Sequence, residues 1–333
     1  MDILNALVAM LNYIVIPAGT YGAQLALGAL GVTLIYGILR FSNFAHGDTM
    51  AFGTALTILL TWGLGALGIS LGPLPTALLA LPVAIAGTAA LVLLTDRVVY
   101  RYYRRVRAAP IVMVMASVGV MFLMNGLTRL VIGVDEIRFA DGARFVINVR
   151  DFRAWSGLSE GLALKTTQLL TLVVAVLTVW ALFRFLNRSK AGKAMRAYAD
   201  NEDLALLSGI DPERVVRLTW IIAAALMTIA GVLYGLDKSF KAFNYFQILL
   251  PIFAAAIVGG LGSSLGAIAG GFVVAFSEVA LTYPWKLVAK YLGFESDSLL
   301  QLLSTEYKFA VSFVILITVL LFRPTGLFRG KSV

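Results

Sequence analysis

The chain has no cysteine, one histidine and little charge: 14% of its 333 residues are Asp, Glu, Lys or Arg. Without cysteine there is no disulfide, no thiolate metal site and no thiol nucleophile. The single histidine, His46, leaves a histidine-based metal centre without partner ligands. Soluble domains carry about 25% charged and about 45–50% apolar residues. Here 60% of residues are apolar and the mean hydropathy is +0.89. Those values exclude a soluble enzyme, a disordered tail and a peripheral amphipathic protein. About ten spans of about 20 residues take up about 200 residues, close to the whole apolar complement. A single membrane domain over 1–333 is therefore expected, although the length alone would allow two or three soluble domains.

The charge leans positive, with 27 Lys and Arg against 18 Asp and Glu, a net +9. In a membrane protein that excess belongs to cytoplasmic loops. It does not point to nucleic acid, because no basic run is interleaved with aromatics on a soluble module. The opening MDILNALVAMLNYIVIPAG has no positive region ahead of its apolar run, unlike a secretory signal. Ile3–Ile16 reads as a short first membrane helix, broken by Pro17 and Gly19.

Apolar stretches fall at about 3–17, 20–39, 45–63, 74–96, 110–133, 167–187, 218–236, 247–260, 264–284 and 306–322. Their periodicity is weak, as expected of helices buried all round, so length carries the assignment. The expected fold is an all-α integral membrane protein of eight to ten transmembrane helices. Segments 3–17 and 247–260 are short for spans, which fits tilted, re-entrant or half-helices. Arg97, Arg101, Arg104, Arg105 and Arg107 put one loop in the cytoplasm. Segment 188–217 and a tail with Arg323, Arg329 and Lys331 join it. The loop 135–166 holds five bases and five acids with turn signals at Asp141-Gly142 and Trp155-Ser156-Gly157, and belongs outside. Ten crossings satisfy every placement with both termini cytoplasmic; eight do so if both short segments are re-entrant.

Within the large loop, Ser189–Asp200 and Glu202–Ser208 read as two short helices. Gly209 stops the second, and Asp211-Pro212 starts the next long helix. Composition alone leaves open whether this loop is a docking element or a plain linker with basic anchors.

Few residues could carry chemistry. Asn43, His46 and Asp48 could form a hydrogen-bonded inter-helix turn, or could contact a substrate or gate. Glu278 lies inside an apolar segment, where a carboxylate faces a bundle interior or a wet path, or snorkels near an interface. Asn125 and Gln24 fit packing hydrogen bonds, and Arg129 fits a snorkelling position. Gly28, Gly31 and Gly37, and the run Gly259-Gly260-Leu261-Gly262-Ser263-Ser264 followed by Gly266, Gly270 and Gly271, allow close helix approach or broken helices around a path. Gly330-Lys331-Ser332 ends like a phosphate loop, but Thr325 stands where its first glycine would be and no strand precedes it. No ATP site, metal, cofactor or catalytic residue is read from the sequence.

Four stretches together carry a resemblance. The first is Ala29-Leu30-Gly31-Val32-Thr33-Leu34-Ile35-Tyr36-Gly37, continued by Asn43-Phe44-Ala45-His46-Gly47-Asp48. The second runs from Arg196 to Ile210, with Asp203, a small Ala205 and Gly209 six positions after the acid. The third is Ile257-Val258-Gly259-Gly260-Leu261-Gly262-Ser263 and the fourth Phe322-Arg323-Pro324-Thr325-Gly326-Leu327-Phe328. In that order they resemble the LivH-type permeases, subunits of branched-chain amino acid ABC importers, from about residue 20 onward. Leu204 departs from the alanine usual there, the first 19 residues are longer than the family's, and the 137–163 loop looks expanded.

The resemblance implies a multi-pass permease of the bacterial inner membrane. It implies a second, LivM-like permease, two ATP-binding-cassette ATPases and a periplasmic binding protein as partners, besides membrane lipid. Ala199, Glu202, Asp203, Ala205, Gly209 and Ile210 would form the loop that docks on the ATPase, Asp203 favouring the helix dipole and Ala205 fitting a cleft. Tyr36, Asn43, His46, Asp48, Asn125, Gly259, Gly260 and Glu278 are the candidates for the substrate path or gate. A urea or short-amide permease of the same kind is the alternative substrate reading. A stand-alone ion-coupled transporter or channel, and an intramembrane enzyme, are the other classes weighed.

Overall fold

A computed structural model describes residues 2–291, 301–304, 307–323 and 325–328. Arg329, Gly330, Lys331 and Ser332, and Pro324 in the fourth stretch, lie outside them. Nearly everything described is helix: α1 (Asp2–Leu39), α2 (His46–Ala66), α3 (Ala77–Arg105), α4 (Pro110–Ile132), α5 (Val149–Ser156), α6 (Thr166–Arg188), α7 (Lys190–Asp200), α8 (Glu202–Leu207), α9 (Pro212–Lys238), α10 (Ala242–Gly259), α11 (Ser264–Thr282), α12 (Lys286–Tyr291) and α13 (Lys308–Phe322). Two short strands, β1 (Phe145–Ile147) and β2 (Leu164–Lys165), pair antiparallel in one loop.

The break expected at Pro17 and Gly19 is absent. The chain runs through both as one 38-residue helix, with a π turn at Leu11–Val15 just ahead of the proline. Proline removes one backbone donor and crowds the carbonyl four residues back; a widened turn placed there absorbs both. Pro82 and Pro251 likewise sit inside continuous helices. Eight described helices are long and apolar enough to span, and the 15-residue α13 is a shorter ninth. Segment 247–260 is the second part of α10, a full 18-residue helix rather than a half-helix.

Merging the first two segments also separates the chain ends. Asn5 and Asn12 on α1 accept hydrogen bonds from the Glu160 and Ala163 amides, in the loop before α6. At the far end of α1, Arg40 donates to the Ala199 carbonyl on α7, after α6. Thr325–Phe328 lie beside Gly259 and Gly260 at that second end. Asp2 and Phe328, the two ends of the described chain, therefore lie at opposite ends of the bundle.

Helix α1 is the central element, packed on α11, α9, α10 and α6. Almost every residue from Ala18 to Ile35 is buried. Helices in lipid gain nothing from hiding apolar surface, so they associate through close contact, and small residues set how close. A Cβ on Gly28 would stand 2.7 Å from Ile252, and one on Gly31 2.7 Å from the His46 ring. Gly37 meets nothing within 4 Å, so it does not share this role. Helices α10 and α11 approach most closely: a Cβ on Gly259 would fall on the Gly266 carbonyl, and one on Gly270 on the Ala255 carbonyl.

The loop of residues 133–165 closes one end of the bundle. Asp141 accepts from the Thr76 amide at 2.8 Å, Ile137 pairs with Phe240, and Ser239 donates to Glu136 at 2.7 Å. Tyr291 of α12 donates to Glu160 at 2.7 Å. The expected turns at Gly142 and Gly157 are present with positive φ, the second capping α5.

These contacts predict a sharp contrast. Gly270→Val forces α10 and α11 apart and costs more than the ~1–3 kcal/mol of ordinary overpacking, while Gly119→Ala, with nothing within 4 Å, is neutral. Thermal melts of the detergent-solubilised variants check this: Gly270→Val melts far lower or fails to accumulate, and Gly119→Ala melts with the parent.

Candidate functional site

The best-defined candidate element is the α7–α8 hairpin. Local chemistry dictates it. The Ser189 hydroxyl accepts from the Gly192 amide at 2.8 Å and starts α7, and Asn201 accepts from the Leu204 amide at 3.0 Å and starts α8. Glu202 and Asp203 occupy the first turn of α8, where carboxylates favour the helix dipole. Gly209, at φ +79°, ends it: its amide bonds the Leu206 carbonyl and the Ile210 amide bonds the Ala205 carbonyl, both at 3.0 Å. That reciprocal pair is the Schellman closure, which needs the left-handed residue glycine supplies. Asp211 then caps α9 through the Glu213 amide, with Pro212 in its first turn.

The placement of Ala205 differs from the expected fit to a partner's cleft: it is 3% exposed and faces its own chain. Its small size lets α8 lie against the protein body. The outward face is Leu204 and Leu207, 60% and 85% exposed, with Asp203 beside them. The leucine that departs from the family's usual alanine is thus on the free surface. Ala199 is half-buried and fixed by Arg40, whose own backbone is left-handed at φ 57°. Tyr198 donates to Glu202 at 2.6 Å and ties α7 to α8. Burial and that carboxylate push the Tyr198 phenol well above its ordinary range.

The path candidates separate into distinct places. Asn43 works as a local brace: its side-chain oxygen accepts from the Ala45 amide and from the Tyr100 hydroxyl, both at 3.2 Å. His46 is fully buried against Gly31, and among the described residues neither ring nitrogen has a hydrogen-bond partner, although the Gly28 backbone bears on the ring. Asp48 points elsewhere, accepting from Asn125 on α4 at 2.6 Å, while its other oxygen, also buried, has no hydrogen-bond partner among the described residues. The three therefore do not form one hydrogen-bonded turn. Arg129, exposed one turn beyond Asn125, lies close enough to act on Asp48.

Gly259 and Gly260 are buried in the α10–α11 turn under the chain's last described residues. The Leu327 and Phe328 amides donate to the Val258 and Gly259 carbonyls at 2.8 and 3.0 Å. The third and fourth motifs thus meet and satisfy the open end of α10, with both glycines enclosed there. Tyr36 is half-buried and lines a cavity at the same end.

Glu278 does not snorkel: it is fully buried. Ser312 donates to one of its oxygens, Lys308 faces the other at 3.8 Å, and Tyr21 bears on the same carboxylate. The Lys308 ammonium also sits 3.9 Å from the Tyr21 ring centre. This cluster joins α1, α11 and α13. The sequence reading missed Lys308, although a lysine opening the 306–322 apolar run was its visible signal. A second missed hub lies at the other end, where Asp96 accepts a bidentate pair from Arg104 and the Trp220 indole N–H at 2.7 Å, under the stacked Tyr100 ring. Asp96 adjoins the basic loop in sequence, but nothing there links it to Trp220.

The profile of the family described as "Branched-chain amino acid transport system / permease component" matches residues 15–320. The chain belongs to that permease family. It is 31% identical over 318 residues to the high-affinity branched-chain amino acid transport system permease protein LivH of Escherichia coli strain K12, covering 94% of each chain. It is 31% identical over 319 residues to BraD, the permease protein of that description from Pseudomonas aeruginosa, again covering 94% of each. A probable branched-chain amino acid transport permease protein LivH of Methanocaldococcus jannaschii is 30% identical, over 92% of this chain and 89% of that one. No solved structure matches the chain. This family member is a multi-pass protein of the inner membrane, and transport is its family's role.

Removing one partner of a buried ion pair costs about 3–5 kcal/mol, because the survivor stays charged and unpaired. Glu278→Gln in this permease therefore lowers its melting temperature steeply, and the added change Lys308→Met recovers most of the loss. A thermal-shift double-mutant cycle in detergent checks this; additive losses would show the two residues to be uncoupled.

Proposed function

We propose that this chain is the permease subunit of an ATP-binding-cassette importer for branched-chain amino acids. It forms the translocation path with a second, LivM-like permease, receives substrate from a periplasmic binding protein, and is driven by two cytoplasmic ATPases. The similarity over nearly the whole length to permeases named for branched-chain amino acids favours that substrate over urea or short amides. The chain itself performs no catalysis in this reading.

The observation that carries the coupling role is the rigid α7–α8 hairpin, capped at every turn and presenting Leu204 and Leu207 outward. An exposed leucine pair on a soluble-side helix of six residues has no packing reason within the chain. It suits the cleft of a partner that pushes on it. The basic residues 97–107 and 184–217 assign this end to the cytoplasm, which puts the clamped 133–165 loop outside, where a binding protein arrives. Tyr198 then makes α7 and α8 move as one piece, and Arg40 carries that motion into central helix α1.

For the path we favour the α2–α4 face. Intramembrane polar groups mark routes more often than lipid contacts, and here Asn125 is half-exposed beside Asp48 and Arg129. Glu278, His46, Gly259 and Gly260 are enclosed by their own chain and are assigned to structure.

Three variants test these assignments in proteoliposomes holding the whole transporter. Leu207→Asp leaves membrane insertion and melting temperature unchanged but abolishes ATP-driven uptake; normal uptake would remove α8 from the coupling interface. Ala205→Arg, by contrast, also lowers the melting temperature, because its site is internal. Asn125→Leu frees both oxygens of Asp48 and reduces uptake by roughly tenfold, equal to about 1.4 kcal/mol, while binding of the ATPases to the permease pair is retained. Unchanged transport in Asn125→Leu would move the path to another face.

A further inference from the structure

The cavity at the α7 end of the bundle has a volume of about 890 Å³ and belongs to neither the hairpin's outer face nor the Asp48 face. That size is in the range of small-molecule sites, about 300–1,000 Å³. Its lining is rich in cations: Arg40, Lys193 and Arg196 supply three positive charges against one acid, Asp200. Lys193 and Arg196 are both exposed and stand one turn apart on α7, so they share a face. Arg40 spends one N–H on the Ala199 carbonyl and is held in place by it. The rest of the lining mixes hydroxyl groups, such as Thr33, Tyr36 and Ser264, with apolar side chains that include Leu34 on α1, Leu186 on α6 and Leu320 on α13.

Position adds a second, independent indication. Helices α6 and α13 both carry apolar side chains exposed outward, among them Val176 and Leu177 on α6 and Ile317 and Leu321 on α13. Such faces suit acyl chains. On α6, Trp180 is exposed with the Arg184 guanidinium 5.7 Å over its ring. Aromatic and basic side chains together mark the headgroup level of a bilayer. Leu186, in the cavity wall, is less than two turns further along that helix. The cavity therefore sits where headgroups meet acyl chains, at the end assigned to the cytoplasm by its basic loops.

We infer that this cavity seats one anionic phospholipid of the inner leaflet, its phosphate held by Lys193, Arg196 and Arg40 and the start of its acyl chains lying along Leu34, Leu186 and Leu320. Basic pockets between transmembrane helices on the cytoplasmic side recognise anionic headgroups in this way. The lipid would join α1, α6, α7 and α13 at the base of the hairpin, so its presence would stiffen the element that couples to ATP.

The test is native mass spectrometry of the full chain, purified in mild detergent, stripped of lipid and titrated with phosphatidylglycerol or phosphatidylcholine of matched chains. One phosphatidylglycerol binds in clear preference to phosphatidylcholine. Lys193→Gln with Arg196→Gln weakens that binding roughly 30-fold, at about 1 kcal/mol for each basic residue. Arg214→Gln, at the same end but outside the cavity, leaves it unchanged. Ser264→Trp, which fills the cavity and removes no charge, also abolishes it, so the result does not rest on the charge variants alone. Equal binding of the two lipids, or phosphatidylglycerol binding indifferent to the cavity variants, overturns the proposal. Soluble glycerol phosphate binding as tightly as phosphatidylglycerol also overturns it, because the ligand is then a free anion.

Discussion

Helices within a bilayer are not driven together by water, so the bundle depends on how closely backbones can approach. The approach of α1, α10 and α11 is the contact on which the remainder rests. Gly28 and Gly31 admit Ile252 and His46 to α1, and Gly271 brings α11 onto the Ala26 backbone. The same economy of size joins α10 to α11 at Gly259, Gly266 and Gly270. With α1 enclosed in this way, the buried connection of residues 41–45 can leave helical geometry, because protein rather than lipid surrounds it and supplies its partners, Ser117 among them.

Polar side chains inside the bundle are then sorted by whether the chain itself satisfies them. Asp96 and Glu278 each have a cationic partner and a hydrogen-bond donor, and each ties together helices far apart in sequence. They are staples. Asp48 is just as enclosed, but it has a single hydrogen-bond partner, Asn125, and its second buried oxygen has none among the described residues.

The two ends of the bundle differ in a way that suits directional transport. At one end, a long loop is fastened to α1, to the turn before α3, to the α9–α10 connection and to α12. At the other, a capped hairpin projects leucines outward and is linked to the central helix by Arg40. A displacement of the hairpin has a mechanical route into α1, whereas the opposite end is braced. Membership of a transport permease family gives that asymmetry its meaning.

Features with local causes were legible in the amino-acid order. Hydrophobic length marked the helices, and Ser189, Asn201, Gly209 and Asp211 marked the hairpin's starts and stops, because caps and left-handed turns depend on residues a few positions apart. What the sequence left open had causes distant along the chain. Pro17 signals a break, but the adjoining π turn and the packing around α1 carry the helix through it. Glu278 could face a path or an interface until Lys308 and Ser312 arrive from α13. The small size of Ala205 is visible in the sequence, but whether it faces a partner or its own chain is decided only when α8 folds onto the body. Local hydrogen-bonding rules act within one or two turns, while burial and pairing are set by neighbours that only the tertiary structure brings together.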